Sequence, residues 1–246
     1  MTDTRHTLTE QIHHPDSNVR SQAALHLGRL DDARGLDALL DALITEPDLL
    51  VREDITWALV RIGVPAVPPL LALLGDTNPS TRHNAAHALG KVGDALGVDS
   101  LIQTLDDADP NVVQKAAFAL GQIGDARAVT ALVGLLGNDH RDVQAAVNSV
   151  LEGFGAAALE PLAGALASPR WQVREQAADI LGMIGDELSV PALAQALDDA
   201  HWQVRFAVVT ALAAIDSISA RRALQAALND PHERVRGLAS RLLKRL

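Results

Sequence analysis

The sequence predicts an all-α fold, a right-handed α-α superhelix built from eight antiparallel helix pairs. Three observations predict it: an internal period near 31 residues, apolar positions at helical spacing within each period, and glycine, aspartate and proline at the element ends.

The period is read from a small-residue core of the form AAFALGQIG, residues 116–124. The residue seven before the Ala of its ALG falls at Val19, Val51, Thr81, Val112, Val143, Val173, Val204 and Val235, at intervals of 32, 30, 31, 31, 30, 31 and 31. Val112, Ala116, Ala117, Leu120 and Ile123 then share one helical face, the face of a second helix, B. Val129, Leu132, Val133 and Leu136 have the same geometry on a first helix, A, as do Val190, Leu193, Ala194 and Leu197. The pairs run over residues 4–30, 33–62, 65–92, 95–123, 126–154, 156–184, 187–215 and 218–246. One pair cannot bury its apolar face alone, so stability comes from stacking neighbours, and the expected organisation is a single domain over 1–246.

The punctuation agrees with the period. Gly93, Gly124 and Gly185 stand just past helix B, where a left-handed residue ends a helix at little cost. Asp94, Asp125, Asp186 and Ser217 follow as caps for the next helix A. Pro15, Pro79, Pro110, Pro169 and Pro231 lie between A and B, where a helix start tolerates proline. Two repeats depart: the turns after Ile62 and Phe154 are one residue shorter and lack the Asp. The fifth repeat also carries Gln144, Asn148 and Glu152 in place of Arg, Ala and Gly, which suggests a local change of curvature over residues 143–162.

Composition limits the function classes. Aromatic residues make up 2% of the chain and Tyr is absent, so the core is aliphatic. A net charge of −10 speaks against a phosphate-binding surface, and no nucleic-acid partner is expected. Residues 221–246 hold seven Lys/Arg against two Asp/Glu, which reads as a solvated terminal helix with cations near its carbonyl end. Without cysteine there is no disulfide framework or thiolate metal site, which suits a reducing, cytoplasmic compartment. Residues 1–10 contain no apolar stretch of the signal-peptide kind, and the longest apolar run, 64–74, is broken by Pro65, Pro68 and Pro69. No membrane association is expected.

Residues 85–94 (AAHALGKVGD) and 116–125 (AAFALGQIGD) resemble the HEAT-like repeats named after phycobilisome lyases. The resemblance covers essentially the whole chain and is specific for a HEAT-type solenoid, while such repeats serve bilin lyases, phycobilisome degradation, deoxyhypusine hydroxylase and plain adaptors alike. It implies that helices B line a concave surface, exposing the residues two before and two, three, six and ten after each anchor. Packed helices lie about 8 to 10 Å apart, so equivalent positions form ladders across that surface.

The sixth position reads Leu25, Trp57, His87, Phe118, Ser149, Asp179, Thr210 and Arg241. Trp171 and Trp202 stand two before their anchors and Phe206 two after, so Phe154 alone of the six Phe and Trp residues reads as ordinary core. Large rings at surface positions of a ring-poor chain suggest binding anchors, although Trp171 and Trp202 also suit a plain role covering helix ends. Around the first three rings stand Arg61 and Lys91 at tenth positions, with Glu53, Asp54, His83, Asn84 and Lys115 beside them. A mixed-sign groove with aromatic anchors suits a protein or peptide better than a uniformly charged polymer.

His83 and His87 are four apart and could share an ion with Glu53, but solvated side chains are the simpler reading. In deoxyhypusine hydroxylase, the resemblance implies His-Glu pairs at second and third positions. Here these read Glu53-Asp54, His83-Asn84 and Glu175-Gln176, so that metal set is absent and no cofactor or bound metal is expected. Arg20, Arg52, Arg82, Arg174, Arg205 and Arg236 recur at one place at the start of helix B, beside acidic turns, and read as a structural ladder. No nucleophile constellation or phosphate loop is present. The expected function is a non-catalytic scaffold that binds a protein on its concave face. The competing expectation is a bilin lyase subunit or bilin-handling protein.

Overall fold

Sixteen α-helices alternate with short turns in the computed structural model, which describes residues 2–30 and 35–245 and, within these, the side chains from residue 7 onward. In chain order they are α1 (Thr2–Gln11), α2 (Ser17–Arg29), α3 (Leu36–Thr45), α4 (Leu49–Ile62), α5 (Val67–Leu73), α6 (Pro79–Val92), α7 (Val98–Thr104) and α8 (Pro110–Ile123). There follow α9 (Val129–Gly134), α10 (Arg141–Phe154), α11 (Leu159–Ala165), α12 (Trp171–Ile184), α13 (Val190–Ala196), α14 (Trp202–Ile215), α15 (Ile218–Ala226) and α16 (Glu233–Leu243). Odd numbers are helices A and even numbers helices B. No strand occurs among the described residues, and no single described helix is long and apolar enough to cross a membrane. The chain divides into two compact units, residues 1–125 and 126–246. The division falls near the repeats in which Val113 and Gln144 replace the recurrent Arg.

Helix B forms as its spacing requires. In α8, Asp109 accepts the N–H of Asn111 at 2.8 Å, Pro110 opens the first turn, and Gly124 at φ +73° closes the last. Between these ends Val112, Ala116, Ala117 and Leu120 are fully buried. Each such Leu or Val contributes about 1.5 to 3 kcal/mol of transfer free energy.

Helices A differ from expectation in their start. A three- or four-residue 3₁₀ turn precedes α5, α7, α9, α11 and α13, and its last residue is small and buried: Ala66, Gly97, Ala128, Ala158 and Ser189. Asp94 and Asp186 cap these turns through the N–H groups of Leu96 and Leu188, and Ser217 caps α15 through Ala220.

The two shorter turns have a backbone cause. Gly93, Gly124 and Gly185 take the ordinary left-handed conformation, whereas Gly63 (φ 73°, ψ −136°) and Gly155 (φ 52°, ψ −124°) enter a region that glycine alone visits cheaply. That conformation turns the chain into the next 3₁₀ segment one residue sooner. Asp216, at φ 47°, does the glycine's work in the seventh repeat.

Three neighbouring pairs of helices B, α2 with α4, α6 with α8 and α12 with α14, meet through a glycine of the first member. A Cβ on Gly90 would lie 2.7 Å from Ala119 Cα, and one on Gly28 or Gly182 would lie 2.6 Å from Ala58 or Ala211 Cα. These three repeats need glycine there because only bare backbone admits the next helix so closely.

The recurrent Arg is the second bond between repeats. Arg20 meets Glu46, Arg82 meets Asp107, Arg174 meets Asp199 and Arg205 meets Asp230, each through two guanidinium nitrogens at 2.5 to 2.9 Å. Each Arg also donates to carbonyls of its own A–B turn, as Arg82 does to Asp76 and Thr77. Arg52 and Arg236 make the turn contacts alone among the bonds identified for them. In the fifth repeat Gln144 reaches the Asn138 carbonyl instead.

These acids are held below their ordinary pKa. For Asp107 the Arg82 hydrogen bonds are the largest cause; for Glu46, Asp199 and Asp230 burial pulls most strongly the other way and is outweighed by the Arg and by a backbone N–H two residues on. A carboxyl depressed on folding stabilises above its unfolded pKa and loses that contribution as pH falls through the folded value. The contribution of these four acids to the thermal midpoint is therefore expected to hold from neutrality to about pH 5 and drop steeply below about pH 4. A circular-dichroism midpoint unchanged down to about pH 2 would contradict the ladder's role.

Candidate protein-binding site

Six positions past the anchor, at about 100° per residue, a side chain stands some 240° from the anchor and clear of the buried stripe. In the first unit this row holds Leu25, Trp57, His87 and Phe118. Trp57 and Phe118 are 40% and 38% exposed, unusually open for rings of their size in so apolar a chain. The Arg61 guanidinium lies 5.6 Å from the centroid of the Trp57 ring, one turn along α4.

Polar groups surround the row. The Nε2–H of His87 donates to Glu53 Oε1 at 3.0 Å, bridging α6 to α4, and His83 Nδ1 lies 3.3 Å from the Asn111 carbonyl. Both imidazoles are held below their ordinary pKa. Burial is the main cause, Lys115 adds to it in both, and in His87 the Glu53 carboxylate pulls back. Both are therefore neutral at pH 7. Lys91 and Arg61 are exposed in the last turns of their helices. Beside His83 a recess of about 270 Å³ opens between Arg52, Ser80 and Asn111.

Two candidates are already engaged. Asp54 accepts the Ser21 hydroxyl at 2.5 Å, which commits one oxygen to the neighbouring repeat. Asn84 is 7% exposed and donates to the Leu43 carbonyl at 3.2 Å. That carbonyl lies in the last turn of α3, where the residue four on is Pro47 and has no N–H to give it, so Asn84 is a correction: it ties α6 to α3 and leaves the surface set.

In the second unit the rings pack on their own neighbours. Trp171 stacks on His201 at 5.8 Å, and Trp202 stacks on His232 at 4.3 Å with its edge toward Phe206 and the Arg234 guanidinium 5.4 Å away. His201 and His232 occupy the N-cap positions of α14 and α16, so both Trp residues cover helix starts. On α12 the row carries Asp179, one turn from Glu175. Although Asp179 is exposed as a residue, crowding around its carboxyl, then the like charge of Glu175, pushes it up to about 6. The sequence ladder contained Asp179 but nothing in it signalled that crowding. Among the described residues no group of three or more His, Asp or Glu is placed to hold a metal ion.

The model of HEAT repeats matches residues 1–60, 36–107, 67–152 and 159–244. An uncharacterized phycocyanin operon protein Z of Pseudanabaena tenuis is 37% identical over 87 residues, which is 35% of this chain and 43% of that protein. The match thus spans less than half of the relative. The complex of CpcE and CpcF of phycocyanin lyase from Nostoc sp. PCC7120 aligns over 98% of this chain and 95% of its own, at 22% identity and TM-score 0.45. A Kap121p mutant aligns over 98% of this chain and 33% of its own, at 16% identity and TM-score 0.61, a likeness of fold. The expectation that the chain is not an enzyme is corrected by its 37% identity over 87 residues with a phycocyanin operon protein. Repeat spacing identifies a fold, and a fold by itself does not decide whether its bearer takes part in catalysis.

Proposed function

The chain belongs to the HEAT-repeat family, and we propose that it is a bilin lyase subunit or bilin-handling protein that seats a phycobiliprotein on the helix B face of its first unit. The observation that carries the docking surface is the pair of open rings, Trp57 and Phe118, on either side of His87. Rigid rings buried against a partner dominate interface energetics, and the mixed charges around them favour a folded protein. The bilin side is supported by the 37% identity with the phycocyanin operon protein over 87 residues.

Co-expression of phycocyanin subunits and a bilin source, with and without this chain, tests the reading. The expected result is a subunit that keeps visible absorbance through a denaturing gel only when the chain is present. Equal colour with and without the chain, together with failure of phycocyanin to co-purify with it, would overturn the proposal.

A further inference from the structure

This inference rests on reading the helix B face of the first unit as the docking surface, and concerns the chemistry of what docks. Among the described residues, the Lys and Arg side chains of that unit fall into two sets. Arg20, Arg52 and Arg82 end in the A–B turns, while Arg29, Arg61, Lys91 and Lys115 stand on helices B. The helix dipole accounts for Arg29, Arg61 and Lys91, which close α2, α4 and α6. It does not account for Lys115, the sixth residue of α8, one turn before Phe118.

Lys115 is half-buried and makes no hydrogen bond or salt bridge among the described residues. Burial works against its charge, Lys91 adds to the cost, and Glu53 offers the compensating field. Yet the Glu53 carboxylate is bonded to His87 and more than half exposed. The buried Arg205 and the half-buried Arg20, Arg82 and Arg174 each have a bidentate acid, in a chain with ten more acidic than basic residues. Lys115 is half-buried without one, and burial disfavours its charge until a counter-charge arrives from outside.

We propose that the docked protein brings the missing acid: one of its carboxylates enters beside Lys115 and Lys91, and apolar side chains of the same surface rest on Trp57 and Phe118. An extended polyanion fits less well, because residues 1–125 carry eighteen Asp/Glu against nine Lys/Arg and would repel all but a single local charge.

The probe is a synthetic amphipathic helix of about 14 residues, four turns, with Leu on one face and Glu at the flank, compared with its Gln and Lys counterparts by fluorescence anisotropy. The Glu peptide should bind at least about tenfold more tightly than the Gln peptide, and the Lys peptide should be weakest. Lys115→Gln should abolish the Glu preference, Lys115→Arg should restore it, and Arg241→Gln on α16 should leave it unchanged. Binding of the Glu peptide should also raise the imidazole titration of His83 and His87 by NMR in the natural protein and not in Lys115→Gln. A flat Glu, Gln and Lys series, or a Glu preference that survives Lys115→Gln, overturns the charge assignment even if phycocyanin is still retained. Failure to retain phycocyanin at all overturns the docking reading instead.

Discussion

Replacing Arg205 by alanine is expected to lower the unfolding free energy by about 3 kcal/mol, the lower end for a broken buried pair because the turn lies at the edge of the helix layer. Arg205 and Asp230 are each 7% exposed, joined by bonds of 2.7 and 2.9 Å, and the same guanidinium donates to the Asp199 carbonyl at 2.6 Å. The variant leaves the Asp230 carboxylate buried without its cation and the turn carbonyl without its donor. In a chain of this length such a loss lowers the thermal midpoint on the order of 10 °C. Arg205→Lys keeps the charge but not the planar fork, so it should fall between the two. The double variant Arg205→Leu with Asp230→Leu should cost less than Arg205→Ala, since it removes both charges together. Equal melting of the single variant and the natural protein would show that the ladder is decoration.

The second large effect concerns binding. Truncating a hot-spot ring typically costs at least about 2 kcal/mol, some thirtyfold in affinity. Trp57→Ala and Phe118→Ala should each weaken retention of phycocyanin by that factor or more while leaving helicity and melting nearly unchanged. Their exposure is what permits the separation: 40% and 38% open rings contribute less to folding than a buried Leu. Trp202→Ala is the contrasting control, because its ring is sandwiched against His232 and should lower stability while sparing retention. If Trp57→Ala and Phe118→Ala bind normally and Trp171, Trp202 or Phe206 variants do not, the site lies in the second unit.

The helices were legible because their signals are local: the Val-to-Gly spacing, the glycine after most helices B and the proline before most of them all act within one repeat. The Arg ladder was legible as a column but its partners were not identified, since each acid lies 25 or 26 residues on. The constant offset from Arg82 to Asp107, Arg174 to Asp199 and Arg205 to Asp230 was the available signal. The 3₁₀ entry of helices A was written in small residues such as Ala128 and Ala158, which resemble any other buried alanine in a one-dimensional pattern.

For the site, the sixth-position row identified exposed Trp57 and Phe118, because angular position around a helix follows from sequence separation. Asn84 escaped that logic: it shares the third position with Asp54 and Lys115, and its inward turn depends on an orphan carbonyl at Leu43 that no spacing reveals. The stacking of Trp171 on His201 and Trp202 on His232 likewise joins residues about one period apart. Ring-bearing residues at that offset are the trace it leaves in the sequence.

Hydrogen–deuterium exchange of the chain, free and saturated with phycocyanin, tests the docking surface most directly. Slower exchange on α4, α6 and α8, centred on the turns that carry Trp57, His87 and Phe118, with α12, α14 and α16 unchanged, is the result this account expects. Protection confined to α12, α14 and α16, or no protection at saturating phycocyanin, would contradict it.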